Sequence, residues 1–346
     1  MSLHLRLLLL FSVLLLNACD RSAQEYHHSS LQFGTLIDIT LYDVEPELAE
    51  QAFEQLDRDF ELYHNAWTPW AASSLSRINL LLPSGASFSA GPSVIPLIEQ
   101  SRKLAEKTEH LFNPAIGHLI NLWQFHRHDE PDIQPPDDAR IQQLVRQNPK
   151  MSDLKLDGIK LSSSNPAVQL NFGAFAKGYA IDQSIDYLKT LGIKHAIINT
   201  GGDLKSIGSH GDRPWRIGIR HPRNSGIIAS IETRGEESIF TSGDYERFYI
   251  HNKQRYHHIL DPRTGYPATG TQSVTVIHHD SALADAAATA LFVAGPDHWW
   301  QIAKNLELKQ VMLIADNGDI HISPEMKRRI LLKQTDQATI ILSPAL

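Results

Sequence analysis

One stretch limits the fold of this chain more than any other: Gln169–Asp182, QLNFGAFAKGYAID. Ala167–Phe172 alternates apolar and polar side chains as a half-buried strand does, Gly173 and Gly178 bracket a short turn, and an amphipathic run follows to Leu191. The pattern predicts a strand, a glycine loop and a helix. Two glycines let the backbone approach a ligand without Cβ interference, and the first N–H groups of the helix offer a site for an anion. Lys177 adds a mobile positive charge at the same place. The same residues also suit an ordinary β–α connection with a solvated lysine. Two known phosphate loops are excluded. Lys177 precedes the second glycine and Tyr179 stands where a Walker motif needs Ser or Thr, and the G-x-G-x-x-G spacing of dinucleotide folds is missing. Neither a G-x-S-x-G elbow nor an H-E-x-x-H pair occurs.

Helical and alternating segments are mixed along the rest of the chain. Leu36–Leu41 alternates and is expected as the first strand of the folded part. Pro46 opens a helix to about residue 63, a second covers about 92–108, and a third resumes over 137–147 after the polar, Pro-rich surface excursion His126–Pro136. His195–Asn199 is a short strand closed by the glycine turn Thr200-Gly201-Gly202-Asp203. Trp215–Arg220, Ile227–Glu232, Ser238–Thr241, Arg247–His251 and Ser273–Ile277 carry further strand signals, and Thr241–Tyr245 reads as a polar turn. An Ala-rich helix runs from Ser281, its expected N-cap, to a stop at Gly295. Val311–Ala315 and Asp319–Ile322 flank Asn317-Gly318, a hairpin signal. Helices mixed with antiparallel-looking strands, without internal repeats, predict an α+β fold with mixed, largely antiparallel sheets and packed helices.

Composition narrows the function by exclusion. With 32 basic against 39 acidic residues the net charge is −7, which argues against a general nucleic-acid binder. The single cysteine forbids an internal disulfide and a Cys-based zinc site. It stands at Cys19, behind a basic start (His4, Arg6), the apolar run Leu7–Leu16 and Asn17-Ala18. That run is too short to span a bilayer comfortably. Leu16-Asn17-Ala18-Cys19 resembles a bacterial lipoprotein lipobox, which implies a signal peptide over residues 1–18, cleavage before Cys19 and lipidation of its thiol; a plain secretory signal is the alternative. Asp20 resembles an inner-membrane retention signal, so a lipid anchor on the periplasmic side of the bacterial inner membrane is expected. Residues 19–30 then form a tether before a folded region over 31–346.

Two constellations carry chemistry. Asp285 and Thr289 lie four residues apart, on one face of the Ala-rich helix, and are hard oxygen ligands suited to Mg²⁺. A solvated helix face reads the same way. His257-His258 followed by Asp261-Pro262-Arg263-Thr264-Gly265 combines a titratable base, an acid and a shaped turn. Among 18 histidines, a structural or exposed role is the plain alternative for any one.

Taken in order, these segments resemble the ApbE family, flavin transferases that move FMN from FAD onto a protein threonine. The matching motifs are Gly34-Thr35, Leu75–Asn79, Phe112-Asn113-Pro114 with Ile116-Gly117 and Leu122-Trp123, Gly173–Tyr179, Asn199–Asp203, Thr241–Gly243, His258–Gly265 and Ala284-Asp285 with Thr289. They span nearly the whole mature chain. The resemblance implies a single ApbE-like, T-fold-like domain holding one FAD and Mg²⁺ in a cleft. Asp285 and Thr289 would ligate the metal, with Ala174 and Ala288 through backbone oxygen. FAD would lie against Phe33, Trp67, Leu111, Phe112, Asn113, Asn171, Lys177 and Ile259, with Trp67 as a stacking platform and His258 as base. The implied partners are periplasm-facing flavoproteins, such as subunits of ion-pumping redox complexes, with a threonine in a Ser/Thr-Gly-Ala-Ser/Thr motif. Family members often carry Met, Asp and Asp where Phe33, Asn113 and Asn171 stand, and some carry Asp at Ala288. Magnesium-dependent FAD hydrolysis, and a non-catalytic FAD-binding lipoprotein, therefore stand beside transfer as readings.

Overall fold

In the computed structural model residues 24–127, 130, 133–333 and 338–346 are described. Cys19 and the expected signal peptide before it lie outside them, as does part of the 126–136 excursion. No helix among the described residues is long and apolar enough to cross a membrane.

The chain begins with a hairpin, β1 (Glu25–Gln32) and β2 (Thr35–Tyr42), turning at Phe33 and Gly34 with φ of 55° and 70°. Residues 25–30, expected in the tether, are thus strand, and Leu36–Leu41 belongs to the second strand. β1 alternates exposed with half-buried positions and is mostly polar, so it carries no apolar signal to read. Helices α1 (Pro46–Trp67) and α2 (Ser74–Leu81) follow, then β3 (Phe88–Ser89), α3 (Ile95–Lys107), α4 (Gly117–Trp123) and α5 (Asp138–Gln147). Next come β4 (Leu154–Asp157), β5 (Lys160–Ser163), α6 (Ala176–Thr190), β6 (Ala196–Thr200) and β7 (Asp203–Ile207). Strands β8 (Arg216–Arg220), β9 (Ile227–Glu232), β10 (Glu237–Gly243), β11 (Phe248–His251), β12 (Gln254–His257) and β13 (Thr271–His278) precede α7 (Ser281–Asn305). The chain closes with β14 (Gln310–Ala315), β15 (Ile320–Ile322), α8 (Pro324–Arg329), β16 (Ile330–Leu332) and β17 (Ile340–Leu342).

Nine strands form the main sheet in the order β1-β2-β6-β7-β10-β13-β14-β15-β17, antiparallel except for the parallel β15–β17 pair. Alternation along each strand splits its side chains between two cores. Val274, Val276, Phe240 and Leu313 pack under α1, α6 and α7, whereas Ile239, Ile277, Met312 and Ile314 meet the small β16-β9-β8 sheet on the opposite face. A third cluster joins Leu119 and Trp123 of α4, Ile141 of α5 and Tyr249 of β11. The architecture is a single α+β domain dominated by antiparallel pairing, as the mixed sequence pattern predicts.

Three local expectations change. Ala167–Phe172 is not a strand: Ala167 lies in a turn, and the polar groups that follow bond to residues 114–117 and to a side chain. Gly117 N–H donates to Gln169 O (2.7 Å), Asn171 N–H to Pro114 O (2.9 Å), and the Asn79 amide brackets Leu170 at 2.7 and 2.9 Å. The N-cap of α7 is Asp280, whose carboxylate accepts from Leu283 N–H at 2.8 Å; Ser281 instead shares a hydrogen bond with the Ser238 hydroxyl at 2.7 Å. Thr241–Gly243 ends β10 rather than forming a turn. Gly295 does break the helix, at φ 72° and ψ 177° ahead of Pro296, and helical residues resume to Asn305.

Candidate active site

The main cleft, about 460 Å³, opens where the β1–β2 turn, the end of α1, the start of α6 and one face of α7 converge. Every sequence-predicted site residue except Ala288 lines it: Phe33, Trp67, Leu111, Phe112, Asn113, Asn171, Ala174, Lys177, His258, Ile259, Asp285 and Thr289. Ala288 is buried in the helical core and does not reach the cleft.

Lys177 and Gly178 are the second and third residues of α6, where N–H groups lack helical acceptors. One of them is already taken: Gly178 N–H donates to Asp285 Oδ2 at 3.1 Å. The missing Cβ of Gly178 also serves the protein, not a ligand, since a methyl there would fall 2.2 Å from Ser281 O on α7. Lys177 Nζ bonds Asp203, whose other oxygen accepts from Thr241 N–H at 2.9 Å. Burial by itself would lower the Lys177 pKa, but Asp203, Asp285 and Glu246 together outweigh it and hold the ammonium charged.

Asp285 is 5% exposed, so the solvated-face reading of its helix fails. Burial pushes its carboxyl up to about 7, with Lys177 opposing and Asp203 adding to the rise. Thr289 lies one turn further, its hydroxyl sharing a hydrogen bond with Ser242 Oγ at 3.2 Å. A carboxylate and two hydroxyls present hard oxygens from α7 and β10 at one end of the cleft, a donor set that fits Mg²⁺ with places left for water or phosphate. Among the described residues no cluster of three His, Cys, Asp or Glu side chains is arranged to hold a metal, so a cation here would rest on one carboxylate and neutral oxygens.

The His257-His258 pair divides its roles. His257 Nε2 is bonded to Ala268 O at 2.8 Å, while His258 lines the cleft with Nδ1 buried and without a hydrogen-bond partner. Desolvation first, then Arg247, His257 and Lys177, push the His258 pKa well below the usual value, so its imidazole is neutral at pH 7. Asp261, the acid of that segment, is forked onto Arg263 at 2.9, 3.1 and 2.7 Å and shapes its own turn, so it does not orient His258.

The aromatic wall also differs from expectation. Trp67 is 4% exposed, anchored by Nε1 to Ser93 O at 3.0 Å, and stacked between Tyr63 (4.5 Å, 5°) and Phe33 (6.3 Å, 18°). Both Trp67 and Phe33 line the cleft, but the half-buried Phe33 is the more exposed ring of the two. Asn113 spends its amide on Pro149 O (2.9 Å) and its oxygen on Ala115 N–H (3.1 Å), and Asn171 Oδ1 shapes the glycine turn by accepting from Gly173 N–H at 2.9 Å.

A model of the ApbE family matches residues 33–313. The chain belongs to the ApbE family. Relatives named FAD:protein FMN transferase include one from Rhodobacter capsulatus, 41% identical over 298 residues that cover 86% of this chain and 57% of that protein. Another, from Vibrio cholerae, is 30% identical over 319 residues covering 90% of this chain and 94% of its own. The chain thus spans just over half the length of the Rhodobacter relative. Among solved structures, an ApbE protein from Thermotoga maritima aligns with a TM-score of 0.81 at 28% identity, over 88% of this chain and 99% of that one. The flavin transferase ApbE from Vibrio cholerae aligns with a TM-score of 0.77 at 28% identity, over 89% and 99%. ApbE membership places the chain among transferases.

Among the residues that line the cleft of this ApbE-family chain, Asp203, Glu246, Arg247 and Trp70 had no site role in the sequence reading. Asp203 closes a glycine turn whose acid had a visible signal, namely its place after Gly201-Gly202. Glu246 and Arg247, both exposed, follow the Thr241–Tyr245 motif and line the cleft. Trp70, 45% exposed, stacks on His126 at 4.0 Å across the cleft rim, a pairing between distant segments that no local pattern signals.

Proposed function

We propose that this ApbE-family protein transfers the FMN moiety of FAD to a threonine hydroxyl of a partner flavoprotein, with Mg²⁺, releasing AMP. The observation that carries the reading is the convergence in one cleft of a clasped lysine, a buried carboxylate with two hydroxyls, and a neutral histidine with an unshared ring nitrogen. Asp285 and Thr289 would hold Mg²⁺, with Ser242 beside them. Bound there, the ion would polarise the pyrophosphate and offset charge on its oxygens. Lys177 supplies a fixed positive charge where the phosphorane charge develops. His258 takes the proton of the attacking hydroxyl. The new bond joins the threonine oxygen to the FMN-side phosphorus; the bridging P–O bond breaks and AMP leaves with that oxygen. Phe33 and the Trp67 stack behind it give the flavin ring an apolar wall.

The experiment is Asp285→Ala. Mg²⁺-dependent transfer should vanish while FAD binding partly survives; transfer that persists at the original rate would remove Asp285 from the metal site. Two other readings are separable in the same reaction: FMN and AMP free in solution mark a pyrophosphatase, and intact FAD marks a carrier. For location, the lipobox-like Leu16–Cys19 and Asp20 support anchoring at the periplasmic face of the inner membrane, where acceptor flavoproteins with a Ser/Thr-Gly-Ala-Ser/Thr motif would be met.

A further inference from the structure

The stretch Gln169–Asp182 ends in a residue that the proposed chemistry does not use. Asp182 lies outside the cleft, one helical turn beyond Gly178 on α6, so both face α7. Its Oδ2 accepts from Ser281 N–H at 2.9 Å and Ala282 N–H at 3.1 Å, the first residues of α7, while Oδ1 accepts from Lys205 Nζ at 2.7 Å. Lys205 is buried to 4% exposure, and its ammonium also reaches His279 O at 2.8 Å and Glu236 at 2.9 Å. Asp203 and Lys205 alternate along β7 and so point to the same side of the strand. Two ion pairs of opposite polarity therefore join α6 to β7: Lys177 to Asp203, and Asp182 to Lys205. Reversed signs specify the register, because a slip of the helix would bring like charges together. Helix α7 is tied to α6 at two levels, Asp182 to the Ser281 and Ala282 amides and Asp285 to the Gly178 amide.

We propose that Asp182, held by Lys205, is a positioning residue that fixes the face of α7 bearing Asp285 and Thr289 against Lys177. It acts through the α7 amides and touches neither substrate nor metal. A carboxylate at a helix N-terminus satisfies free N–H groups and complements the helix dipole. An asparagine can turn one oxygen to those amides, but its NH₂ then faces the Lys205 ammonium, donor against donor. The α6–α7 spacing is thereby released where the oxygens of the proposed metal site are set. The inference rests on the Mg²⁺ reading above for its functional consequence, and on geometry alone for the positioning.

The test uses the full chain and two single variants, Asp182→Asn and Lys205→Met, with Lys205→Arg as the conservative control. Two readings are taken: the Mg²⁺ concentration giving half-maximal thermal stabilisation, and hydrogen exchange in the peptide containing Gly178. Supporting partners around metal ligands typically change metal affinity by about 10–100-fold. Both variants should raise the Mg²⁺ midpoint roughly tenfold, at the low end of that range, retain kcat at saturating Mg²⁺, and speed exchange at Gly178, with Lys205→Arg close to the parent. A lower melting temperature with an unmoved midpoint and unmoved Gly178 exchange would show a merely structural ion pair and overturn the proposal. If the parent itself shows no Mg²⁺ response, the metal reading fails separately, and exchange at Gly178 decides the positioning: faster supports it, unchanged overturns it.

Discussion

Asp285 concentrates the electrostatics of the site. Its carboxyl rises from the ordinary 3.8 to about 7 because burial outweighs the help it receives from Lys177 and the Gly178 amide. A raised acid pKa means that the folded chain holds a proton the unfolded chain has released, so this group destabilises the metal-free fold increasingly as pH rises from about 4 through about 7. Mg²⁺ needs the ionised form, and therefore competes with the proton below about 7. Melting the protein with and without Mg²⁺ from pH 5 to 8 should show a stabilisation that widens with pH and levels off above about 7. A gap that stays constant across that range would contradict the assignment. From the sequence, Asp285 and Thr289 could be paired by helical spacing alone, whereas the burial that shifts Asp285 depends on Gly178 and on residues more than one hundred positions away.

At the scale of elements, the contact between α6 and α7 decides where the chemistry sits. Gly178 allows the two backbones to meet, and a Cβ there would lie 2.2 Å from Ser281 O and 2.6 Å from its carbonyl carbon. Gly178→Ala should cost about 1–3 kcal/mol of stability, as overpacked sites do, and should weaken Mg²⁺ binding with it because Asp285 accepts from the same residue's N–H. Chemical denaturation with and without Mg²⁺ measures both; a variant as stable as the parent would mean the helices tolerate separation. Helices α1, α3, α5, α6 and α7 were readable from periodicity, Pro46 and the small-residue run of α7, whereas the short α2, α4 and α8 were not read as helices. What failed was Ala167–Phe172, whose alternation is real but whose backbone bonds go to Asn79 and to residues 114–117, partners that only the tertiary fold supplies. Strand β1 was missed for the opposite reason, since its half-buried polar residues give the period-2 rule nothing to detect.

Across the whole molecule, the long excursion between the adjacent strands β2 and β6 delivers α1, α2, α3 and α6 to one face of the main sheet, while its α4 and α5 pack in the third cluster, and α7 arrives on the same face as α6 between β13 and β14. The site forms where those two insertions meet. The α+β class and twelve of the residues that line the cleft could be read from segments spread along the chain, because those segments carry their own glycine, aromatic or acid signals. The pairings could not: Lys177 with Asp203, Trp70 with His126, and Trp67 buried against Tyr63 and Phe33 all need the folded assembly. The proposed lipid anchor adds a prediction at this scale. Cys19→Ser should move the protein from the membrane to the soluble periplasmic fraction, and a variant that stays membrane-bound would rule out a lipid on that thiol. The central claim meets its most direct test in a single reaction of the protein with FAD, Mg²⁺ and an acceptor bearing a Ser/Thr-Gly-Ala-Ser/Thr threonine, read by intact mass. One covalent FMN should appear on the acceptor threonine and be lost when Mg²⁺ is chelated and in Asp285→Ala. An unmodified acceptor, with FAD intact or cleaved to free FMN and AMP, would contradict it.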